Sequence, residues 1–439
     1  MKETKANTKL TKDIATSEFK HSKKAIFFLR HNNDIDHIVP VLYKWLSTQN
    51  IPTDVIITTK KEHLNDKRIV YLKQFKNVRI LHINDLFKKY SLPYFFNRFY
   101  FKEDTKFDNL FKKHNYLRKK ADNQIKKITN KFFENMQEGI VVFDWTTTYF
   151  VHKIVEISKQ KGFTTISLPH GDRPYISLLE TIDTLNYDGL KAYEPYKIFD
   201  YVVVPNKINT DRYNRFIKGD KLKVLGSPRY CDEWMKIISD FIPTYEEKES
   251  KDNLKIIFFL RNTGYPVFWD EVVRTIKLIM QFEGIYLIVK HHPRNRNAKK
   301  LTEQLLDKYP DVRKNLGKNL KFIYEGVDSG SLLKWADVVI DIGTSVTWEA
   351  VKQNKPVLMI EYLYSNYSTI ACYIPETEIK CRDDLYHALE KLLSSKKEKF
   401  YDEKNRENFI SEIIDTPDKK VLERYCSFLK ECLNEKNSG

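Results

Sequence analysis

The sequence predicts an α/β fold with two βαβ domains, each built on a parallel sheet. Short apolar runs of strand length alternate with helical stretches along most of the 439 residues. Parallel strands need a crossover connection, and a helix in that crossover covers the face of the sheet. The pattern also starts over, because Lys255–Asn262 (KIIFFLRN) closely repeats Lys24–His31 (KAIFFLRH). At about 150 residues per domain, the chain is long enough for two or three domains.

Seven strand-like runs lie in the first half of the chain, and helical stretches separate most of them. After the first strand and a polar turn, Asp34 or Asp36 can cap a helix whose first turn tolerates Pro40. The predicted strands cover residues 24–29, 54–58, 78–82, 140–143, 164–168, 200–204 and 222–225.

A second round of strands and helices follows a charged stretch at residues 246–253. Beyond the repeat at 255–262, its predicted strands cover residues 285–289, 320–324, 338–341 and 356–360. The simplest domain model has five parts. They are a polar flexible tail (residues 1–23), a first domain (24–235), a linker (236–253), a second domain (254–382) and closing helices (383–439).

Composition narrows the class of protein and its partners. The chain is 41% hydrophobic and 31% charged, with 13 Gly and 15 Pro, which is typical of a globular protein. A formal net charge of +16 favours anionic partners such as nucleic acid, phosphorylated substrates or an acidic membrane face. The five scattered cysteines indicate neither a disulfide framework nor a zinc site, so a reduced cytoplasm is expected. Neither a secretory signal nor a membrane-spanning run is predicted.

An insertion at about residues 90–135 is distinct in composition. Residues 90–102 are dense in aromatics, and residues 102–131 carry ten Lys and Arg against four Asp and Glu. A solvated helix with core aromatics would give this pattern. Aromatics and lysines also suit the surface of an anionic membrane or a lipid-linked acceptor. Peripheral contact with the inner face of the cell membrane is therefore a second interpretation.

Polar residues that directly follow strands are the first candidates for chemistry. Ligands bind beyond the carboxyl ends of the strands in an open parallel sheet. In the first half, one strand leads into His170, Gly171, Asp172 and Arg173. This cluster can deprotonate a hydroxyl and hold a phosphate. His170 or Asp172 is therefore the candidate general base, and Arg173 is a candidate acceptor contact.

The loop after the first strand supplies reserve candidates for acceptor binding. These are His31, Asp34 and Asp36. Each candidate also has a structural interpretation, since a histidine after a strand is more often satisfied within the fold. Polar clusters after strands in both halves favour the functional interpretation, because a cleft between two such domains would bring them face to face.

In the second half, a strand ends at Lys290 and leads into His291, His292, Pro293 and Arg294. Their side chains include several donors to phosphate oxygens. The two adjacent histidines point in different directions, which disfavours a metal chelate. One of them is therefore expected to contact a ligand together with its neighbours.

Another polar turn follows the strand at residues 338–341. Gly343, Thr344 and Ser345 form a small-residue turn before a helix. Free backbone N–H groups and hydroxyls at the positive end of a helix dipole make an anion site. Glu349 lies one turn inside that helix, where its carboxylate can accept hydrogen bonds from ribose hydroxyls.

Several catalytic classes are disfavoured because their motifs are absent. The chain has no Walker A motif, no GxGxxG after the first strand, no GxSxG and no HExxH. No Asp-x-Asp stands at a predicted strand end. No essential metal and no cofactor are therefore expected, since positive side chains can take the place of an ion.

Taken together, these motifs resemble a GT-B glycosyltransferase, in which two Rossmann-like domains face each other across a cleft. The resemblance covers about residues 24 to 375. More narrowly, the chain is similar to bacterial surface-polysaccharide enzymes: the CDP-glycerol glycerophosphotransferases and the CMP-sugar transferases for Kdo and sialic acid. The residues that carry it are His170-Gly171, Gly226–Arg229, Lys290–Pro293, Asp341–Ser345 and Glu349.

The resemblance implies a transferase that moves a sugar from a nucleotide donor to a surface glycan or a lipid-linked acceptor. In those families a His-Pro element and a Ser-containing turn bind cytidine nucleotides. These elements correspond to His292, Pro293, Thr344 and Ser345 here. The second domain would hold the donor, the first domain the acceptor, and a CMP- or CDP-type donor is favoured.

Four alternatives stay open. The chain could transfer a glycerophosphate unit, as the CDP-glycerol enzymes do. The turn after Asp341 is also similar to the Asp-Ser-Gly-Gly segment of non-hydrolysing UDP-N-acetylglucosamine 2-epimerases, but their first-domain His-Glu-Ala-Gly pattern is absent. A basic nucleic-acid-binding protein is less favoured, because no RRM-like or zinc-finger pattern is present. A catalytically silent scaffold of the same fold would bind the donor without turnover.

Overall fold

The predicted α/β fold with two parallel sheets is confirmed. The computed structural model describes residues 23–30, 32–85, 115–136, 138–145, 149–169, 171, 174–176, 189–247, 253–262, 265–293, 297–394 and 399–434. Within these ranges the strands form one sheet of seven and one of six. All neighbouring strands in both sheets run parallel.

Twelve of the strands begin within one residue of the positions that the sequence predicts. The thirteenth, of two residues, has no counterpart in the prediction. In chain order they are β1 (Lys24–Leu29), β2 (Thr53–Ile57), β3 (Val78–His82), β4 (Gly139–Phe143), β5 (Thr164–Ser167), β6 (Tyr201–Val204), β7 (Leu222–Val224), β8 (Leu254–Phe259), β9 (Ile285–Lys290), β10 (Leu320–Ile323), β11 (Val338–Asp341), β12 (Val357–Ile360) and β13 (Glu378–Ile379).

Helices connect most of the strands. They are α1 (Asn32–Thr48), α2 (Lys67–Leu72), α3 (Asn115–Phe133), α4 (Tyr149–Gln160), α5 (Lys207–Tyr213), α6 (Asp232–Ser239), α7 (Trp269–Ile279), α8 (Ala298–Lys308), α9 (Pro310–Arg313), α10 (Ser329–Trp335), α11 (Val346–Lys352), α12 (Thr369–Tyr373), α13 (Arg382–Ser394), α14 (Glu403–Phe409) and α15 (Val421–Asn434). A π-helical segment, Ile410–Ile414, follows α14. Among the described helices, none combines the length and the apolar character that a membrane crossing requires.

The chain divides into two compact units, and neither is continuous in sequence. Unit 1 consists of Met1–Gly171, Ala192–Trp234 and Asp418–Gly439. Unit 2 consists of Asp172–Lys191 and Met235–Pro417. The chain enters unit 2 for its main part at Met235, beside the predicted linker. Its last described helix, α15, belongs to unit 1.

The sheet of unit 1 has the order β3-β2-β1-β4-β5-β6-β7. Its central strands are buried on both faces because helices cover a parallel sheet on both sides, and every residue of β2, β4 and β5 is buried. Aromatic side chains fill the core, and the rings of Phe28 and Phe143 stack at 4.9 Å. Helix α15 packs against α1 and β4, and the Tyr425 hydroxyl donates to the carbonyl of Gly226 at 3.0 Å.

The sheet of unit 2 has the order β10-β9-β8-β11-β12-β13. This is the 3-2-1-4-5-6 order of the doubly wound nucleotide-binding fold, and the first six strands of unit 1 share it. The repeat noted in the sequence falls on β1 and β8, the strand in the same position of each sheet. In unit 2, Phe259 of β8 pairs with Lys290 of β9 on one side and with Asp341 of β11 on the other.

Helix α1 begins earlier than the sequence predicts, so the predicted caps at Asp34 and Asp36 are wrong. Both residues lie inside the helix, which starts at Asn32, and Pro40 stands in its interior. Asp34 instead reaches back and accepts a hydrogen bond from the backbone N–H of Arg30 at 2.5 Å. That contact fixes the turn between β1 and α1, which local sequence preferences did not indicate.

Candidate functional site

The carboxyl edge of the unit 2 sheet is the place where this fold is expected to bind a ligand. The strand order reverses between β8 and β11, and ligands of such sheets bind outside the carboxyl ends at this switch point. The pairing of Phe259 with Lys290 and Asp341 brings the ends of three strands level. The segments that follow β8, β9, β11 and β12 therefore define the candidate site.

Asp341 organises the turn that follows β11. Its carboxylate accepts hydrogen bonds from the backbone N–H of Gly343 at 2.9 Å and from the N–H and hydroxyl of Thr344 at 2.5 and 2.8 Å. Complete burial raises the pKa of Asp341 to about 7, although the hydrogen bonds from Thr344 act to lower it. The sequence led us to expect free donors in this turn. These three donors are instead engaged by Asp341.

Arg261 holds the same turn from the other side. Its guanidinium donates a hydrogen bond to the carbonyl oxygen of Gly343. Gly343 has a φ of +94°, and a Cβ atom there would lie 3.0 Å from a guanidinium nitrogen of Arg261. The glycine is therefore required both for its backbone conformation and for this close approach.

The guanidinium of Arg261 lies among three tyrosine rings. The centroids of Tyr265, Tyr364 and Tyr175 lie 4.3, 4.4 and 5.1 Å from its central carbon. Arg261 is 6% exposed, and its buried Nε makes no hydrogen bond to the described residues. Aromatic faces stabilise a cation without neutralising it. Arg261 was not among the sequence-predicted site residues, although the repeated KxIFFLR segment pointed to it.

Lys290 adds a second buried positive charge at this edge. It ends β9, is 5% exposed, and forms no ion pair within the described residues. Burial lowers the pKa of Lys290, which means that the fold disfavours its charge in the absence of an anion. The role of Lys290 as a donor to phosphate oxygens, which the sequence suggests, stays a prediction.

The two adjacent histidines point to different surroundings, as the sequence suggested. His291 is 2% exposed, hydrogen-bonds through Nε2 to the Thr302 hydroxyl at 2.9 Å, and stacks on Tyr324 at 5.1 Å. Burial lowers the pKa of His291 to about 4. His292 is only half-buried and Pro293 is exposed. His292 is therefore the histidine that a ligand at this edge can reach.

The remaining predicted residues of the second half have different environments. Ser345 is half-buried at the start of α11, on the same edge as His292 and two strands away, roughly 10 Å at usual strand spacing. Helix α11 has only seven residues. Glu349 is half-buried and accepts a hydrogen bond from Gln353 at 3.2 Å. Arg294 lies outside the described residues.

Glu361 is a further acidic residue at this edge that the sequence analysis missed. It directly follows β12, and its Oε2 accepts a hydrogen bond from the backbone N–H of Ser368 at 3.2 Å. Its Oε1 is buried and makes no hydrogen bond to the described residues. Burial, together with the nearby carboxylates of Glu378 and Asp341, raises the pKa of Glu361 to about 7.

The carboxyl edge of unit 1 repeats the arrangement of an arginine after the first strand and an aspartate at the end of the fourth. Here the arginine is neutralised, because Arg30 donates to Asp144 through Nε at 2.8 Å and through a second nitrogen. Asp34 is fully buried beside this pair, and burial raises its pKa well above the usual value. A buried ion pair thus occupies the position that corresponds to Arg261 and Asp341.

The residues predicted to act on the acceptor are only partly described. Asp34 belongs to the buried cluster just described. The carboxylate of Asp36 is held between Arg68 and Arg229, with a distance of 3.0 Å to Arg229. Four further candidates lie outside the described residues: His31, His170, Asp172 and Arg173.

Comparisons with known proteins support the architecture. No protein-family model matches the chain, and no curated protein matches it. A UDP-GlcNAc 2-epimerase from Neisseria meningitidis, solved with UDP-GlcNAc, is 12% identical with a TM-score of 0.57, over 93% of this chain and 99% of that one. A glycosyltransferase from Rickettsia africae is 12% identical with a TM-score of 0.54, over 94% and 99%.

A third solved structure, Anabaena HepE in complex with UDP and glucose, is 10% identical with a TM-score of 0.52, over 93% of this chain and 100% of that one. At such identities the likeness concerns the fold. The chain therefore has a GT-B-like fold, with two parallel-sheet α/β units and connecting helices.

Proposed function

We propose that this protein is a glycosyltransferase that binds a nucleotide-activated sugar at the carboxyl edge of the unit 2 sheet. The observation that carries the proposal is the pair of buried cations at this edge, Arg261 and Lys290. Neither has a carboxylate within ion-pair distance among the described residues. A buried charge without a counterion is costly, so an anionic ligand such as a diphosphate would stabilise both side chains.

The contrast with unit 1 supports the choice of unit 2. In unit 1 the equivalent arginine, Arg30, is paired with Asp144, so the switch point carries no spare positive charge. In unit 2 Asp341 instead binds the N–H and O–H groups of its own turn. Within the described residues, Arg261 interacts with Asp341 electrostatically without forming an ion pair, so a ligand anion can still make the first direct carboxylate- or phosphate-type contact with its guanidinium.

The proposed reaction forms a bond from an acceptor oxygen to the anomeric carbon and breaks the bond from that carbon to the donor phosphate. The leaving nucleotide takes the electron pair, and Arg261, Lys290 and His292 would stabilise its charge. His170 or Asp172 would take the acceptor proton. We expect that His170→Ala abolishes transfer and leaves donor binding nearly intact, whereas an active variant would remove His170 from the mechanism.

The nucleotide base is a separate part of the proposal. The sequence favours cytidine, whereas two of the compared structures were solved with UDP-GlcNAc or with UDP and glucose. UDP-sugars are therefore the first donors to test, beside CMP and CDP. Selective stabilisation of the folded chain by one of these nucleotides, measured as a shift in melting temperature, would identify the base.

The test of the donor site is calorimetric titration of the full chain with UDP, UDP-GlcNAc, CMP and CDP. Arg261→Met should raise the Kd of the preferred nucleotide about 10- to 100-fold, since a hydrogen bond to a charged group contributes about 1.5–3 kcal/mol. Tyr265→Glu should weaken binding in the same way, because it supplies a carboxylate to Arg261. Arg274→Met is the control, since Arg274 is exposed on α7. An unchanged Kd in both folded variants would refute the donor site.

An epimerase is the second candidate, and the structural likeness to UDP-GlcNAc 2-epimerases favours it. The two functions differ in their need for an acceptor. An epimerase would convert UDP-GlcNAc alone, and proton NMR would detect the product with inverted configuration at C2. A transferase would leave the configuration at C2 unchanged and release UDP only when an acceptor is present.

The lysine-rich face of α3 suggests where an anionic acceptor or membrane would contact unit 1. Five lysines of this helix are exposed, and its one acidic residue, Asp122, is half-buried. The exposed ring of Tyr116 lies 4.8 Å from the ammonium group of Lys120. The five are Lys119, Lys120, Lys126, Lys127 and Lys131. We propose that this face rests on anionic lipid, as the composition of the insertion suggested. The aromatic residues 90–102 lie outside the described residues.

A further inference from the structure

We propose that Glu361 binds a hydroxyl group of the nucleotide sugar through its carboxyl oxygen Oε1. The inference rests on the proposed function, and it adds a residue that recognises the uncharged part of the donor. Neither the charge pattern nor the motifs of the sequence assigns a role to Glu361.

The two carboxyl oxygens of Glu361 differ in their hydrogen bonding. Oε2 accepts a hydrogen bond from the backbone N–H of Ser368 at 3.2 Å, which fixes the orientation of the carboxyl group. Oε1 is buried and makes no hydrogen bond to the described residues. Buried polar atoms are almost always hydrogen-bonded in folded proteins, because an unmade bond costs free energy. A ligand group that donates to Oε1 would remove this cost.

Glu361 lies at the carboxyl edge of the unit 2 sheet. Glu361 follows the last residue of β12, and Met359 of that strand pairs with Asp341 of β11. The carboxyl group therefore lies at the same edge as the two buried cations Arg261 and Lys290. The carboxyl groups of Glu361 and Asp341 are close enough to raise each other's energy when charged.

The backbone segment that holds Glu361 in place is itself fixed by hydrogen bonds. Ser368 caps α12 through its hydroxyl, which accepts from the N–H of Ala371 at 3.3 Å. Tyr175 forms an antiparallel bridge with Ser368, and Thr369 donates to the carbonyl of Pro174 at 3.0 Å. The position of Oε1 is thus determined by contacts that do not involve Oε1 itself.

The unsatisfied hydrogen-bonding atoms of Arg261 and Glu361 fit the polar groups of a nucleotide sugar. The buried Nε of Arg261 is a donor without an acceptor, and the buried Oε1 of Glu361 is an acceptor without a donor, among the described residues. A free phosphate ion offers oxygens to the arginine but carries no sugar hydroxyl groups. A nucleotide sugar carries phosphate oxygens for Arg261 and, a few bonds away on either side, hydroxyl groups for Glu361. The pair of unsatisfied atoms therefore matches a ligand of this class better than a simple anion.

The experiment is calorimetric titration of the full chain with UDP, 2′-deoxy-UDP and UDP-GlcNAc. Glu361→Met should raise the Kd of UDP-GlcNAc about 10-fold or more, and Glu361→Gln should have a smaller effect, since it keeps the shape of the group. Glu283→Gln is the matched control, because Glu283 is exposed and precedes β9 at the opposite edge of the sheet.

The three ligands distinguish the two sources of the hydroxyl. If the ribose 2′-hydroxyl supplies it, Glu361→Met weakens UDP but not 2′-deoxy-UDP, whereas a contact with the ribose 3′-hydroxyl weakens both. If the transferred sugar supplies it, the variant weakens UDP-GlcNAc alone. Melting temperatures are measured on the same samples. Variants that melt lower but bind all three ligands as the wild type does would show that Glu361 only supports the turn at Ser368, and would overturn the inference alone. A wild-type chain that binds none of these ligands, and neither CMP nor CDP, would overturn the proposed function together with it.

Discussion

Asp341 and Thr344 are joined by two hydrogen bonds, one from the backbone N–H of Thr344 and one from its hydroxyl, at 2.5 and 2.8 Å. With the N–H of Gly343, these bonds make Asp341 the centre of the turn after β11. The turn is therefore rigid before any ligand arrives, and its stability depends on a single carboxyl group.

Removing that carboxyl group should be costly. We expect Asp341→Ala to lower the free energy of unfolding by about 3 kcal/mol or more, because it leaves buried donors without an acceptor. Asp328→Ala is the control, since Asp328 is an exposed cap that accepts from Gly330 at 2.8 Å, and its loss should cost about 1 kcal/mol. Urea unfolding followed by circular dichroism measures both. Equal losses in the two variants would contradict the central role of Asp341.

Two glycines with positive φ separate backbone strain from the contact with Arg261. At Gly317, with φ +74°, an added Cβ atom would meet open space, whereas at Gly343, with φ +94°, it would lie 3.0 Å from Arg261. Gly317→Ala should cost about 1 kcal/mol in the free energy of unfolding, from the backbone alone. Gly343→Ala should cost more and should also weaken nucleotide binding, because the displaced guanidinium is a proposed phosphate contact. A Gly343 variant no worse than the Gly317 variant would show that Arg261 moves aside freely.

Asp34 and Asp144, two buried aspartates of unit 1, should respond differently to the same substitution. Burial and the neighbouring Asp144 carboxylate raise the pKa of Asp34, so an amide resembles its protonated form. Asp34→Asn should therefore change the free energy of unfolding by less than about 1 kcal/mol. Asp144→Asn leaves the Arg30 guanidinium buried without its counterion and should cost about 3–5 kcal/mol. Denaturant unfolding of the two variants checks the order, and a reversed order would refute this assignment of the proton.

His291 should make unit 2 sensitive to acid. Its pKa is lowered to about 4 in the fold, from 6.5 for the ordinary side chain, because burial disfavours the charged ring. Below pH 6.5 the unfolded chain binds the proton more readily than the folded chain, so stability is full above that pH and falls as pH drops towards 4. The loss should reach about 2 kcal/mol at pH 5.

His291→Phe should remove this dependence, since the ring would pack against Phe322 and Tyr324 without titrating. The measurement is the free energy of unfolding of wild type and variant between pH 5 and 7.5. The same substitution at His387, which is exposed on α13, is the control. Parallel pH profiles for wild type and His291→Phe would contradict the prediction.

The lysine face of α3 can be tested with vesicles. Each lysine near an anionic bilayer contributes about 1 kcal/mol, so a variant with Lys120, Lys126 and Lys127 changed to Gln should bind phosphatidylglycerol vesicles roughly 100-fold more weakly. The matched control changes Lys299, Lys300 and Lys318 to Gln, since these lysines are exposed in unit 2. Flotation in sucrose measures binding, with phosphatidylcholine vesicles as the neutral reference. Equal weakening in both triple variants would indicate a general charge effect and no docking face.

Much of the fold could be predicted from local patterns, because apolar runs of strand length mark the buried strands of a parallel sheet. The same logic located Lys290, His292 and Ser345 at strand ends. The tyrosines around Arg261 could not be found in this way, since Tyr175, Tyr265 and Tyr364 are far apart in sequence. Nor could the sequence reveal that Asp341 engages the donors of its own turn, because spacing alone does not tell which groups are already bonded.

The early start of α1 was missed for a related reason. Propensities favoured Asp34 as a cap, whereas the structure uses its carboxylate on the backbone of Arg30 within a buried charge cluster. No sequence pattern distinguishes Glu361 from other polar residues that follow a strand, because burial and an unmade hydrogen bond are visible only in three dimensions.

The place of α15 has a consequence for biosynthesis. This helix packs against α1 and β4 of unit 1, most of which precedes unit 2 in the chain. Residues 235–417 are translated before it emerges, so the apolar surface of α1 and β4 that it covers stays open while the whole of the other unit is made. A nascent chain stalled before Val421 should therefore recruit chaperones and be cut by proteases in unit 1, and synthesis of α15 should end both.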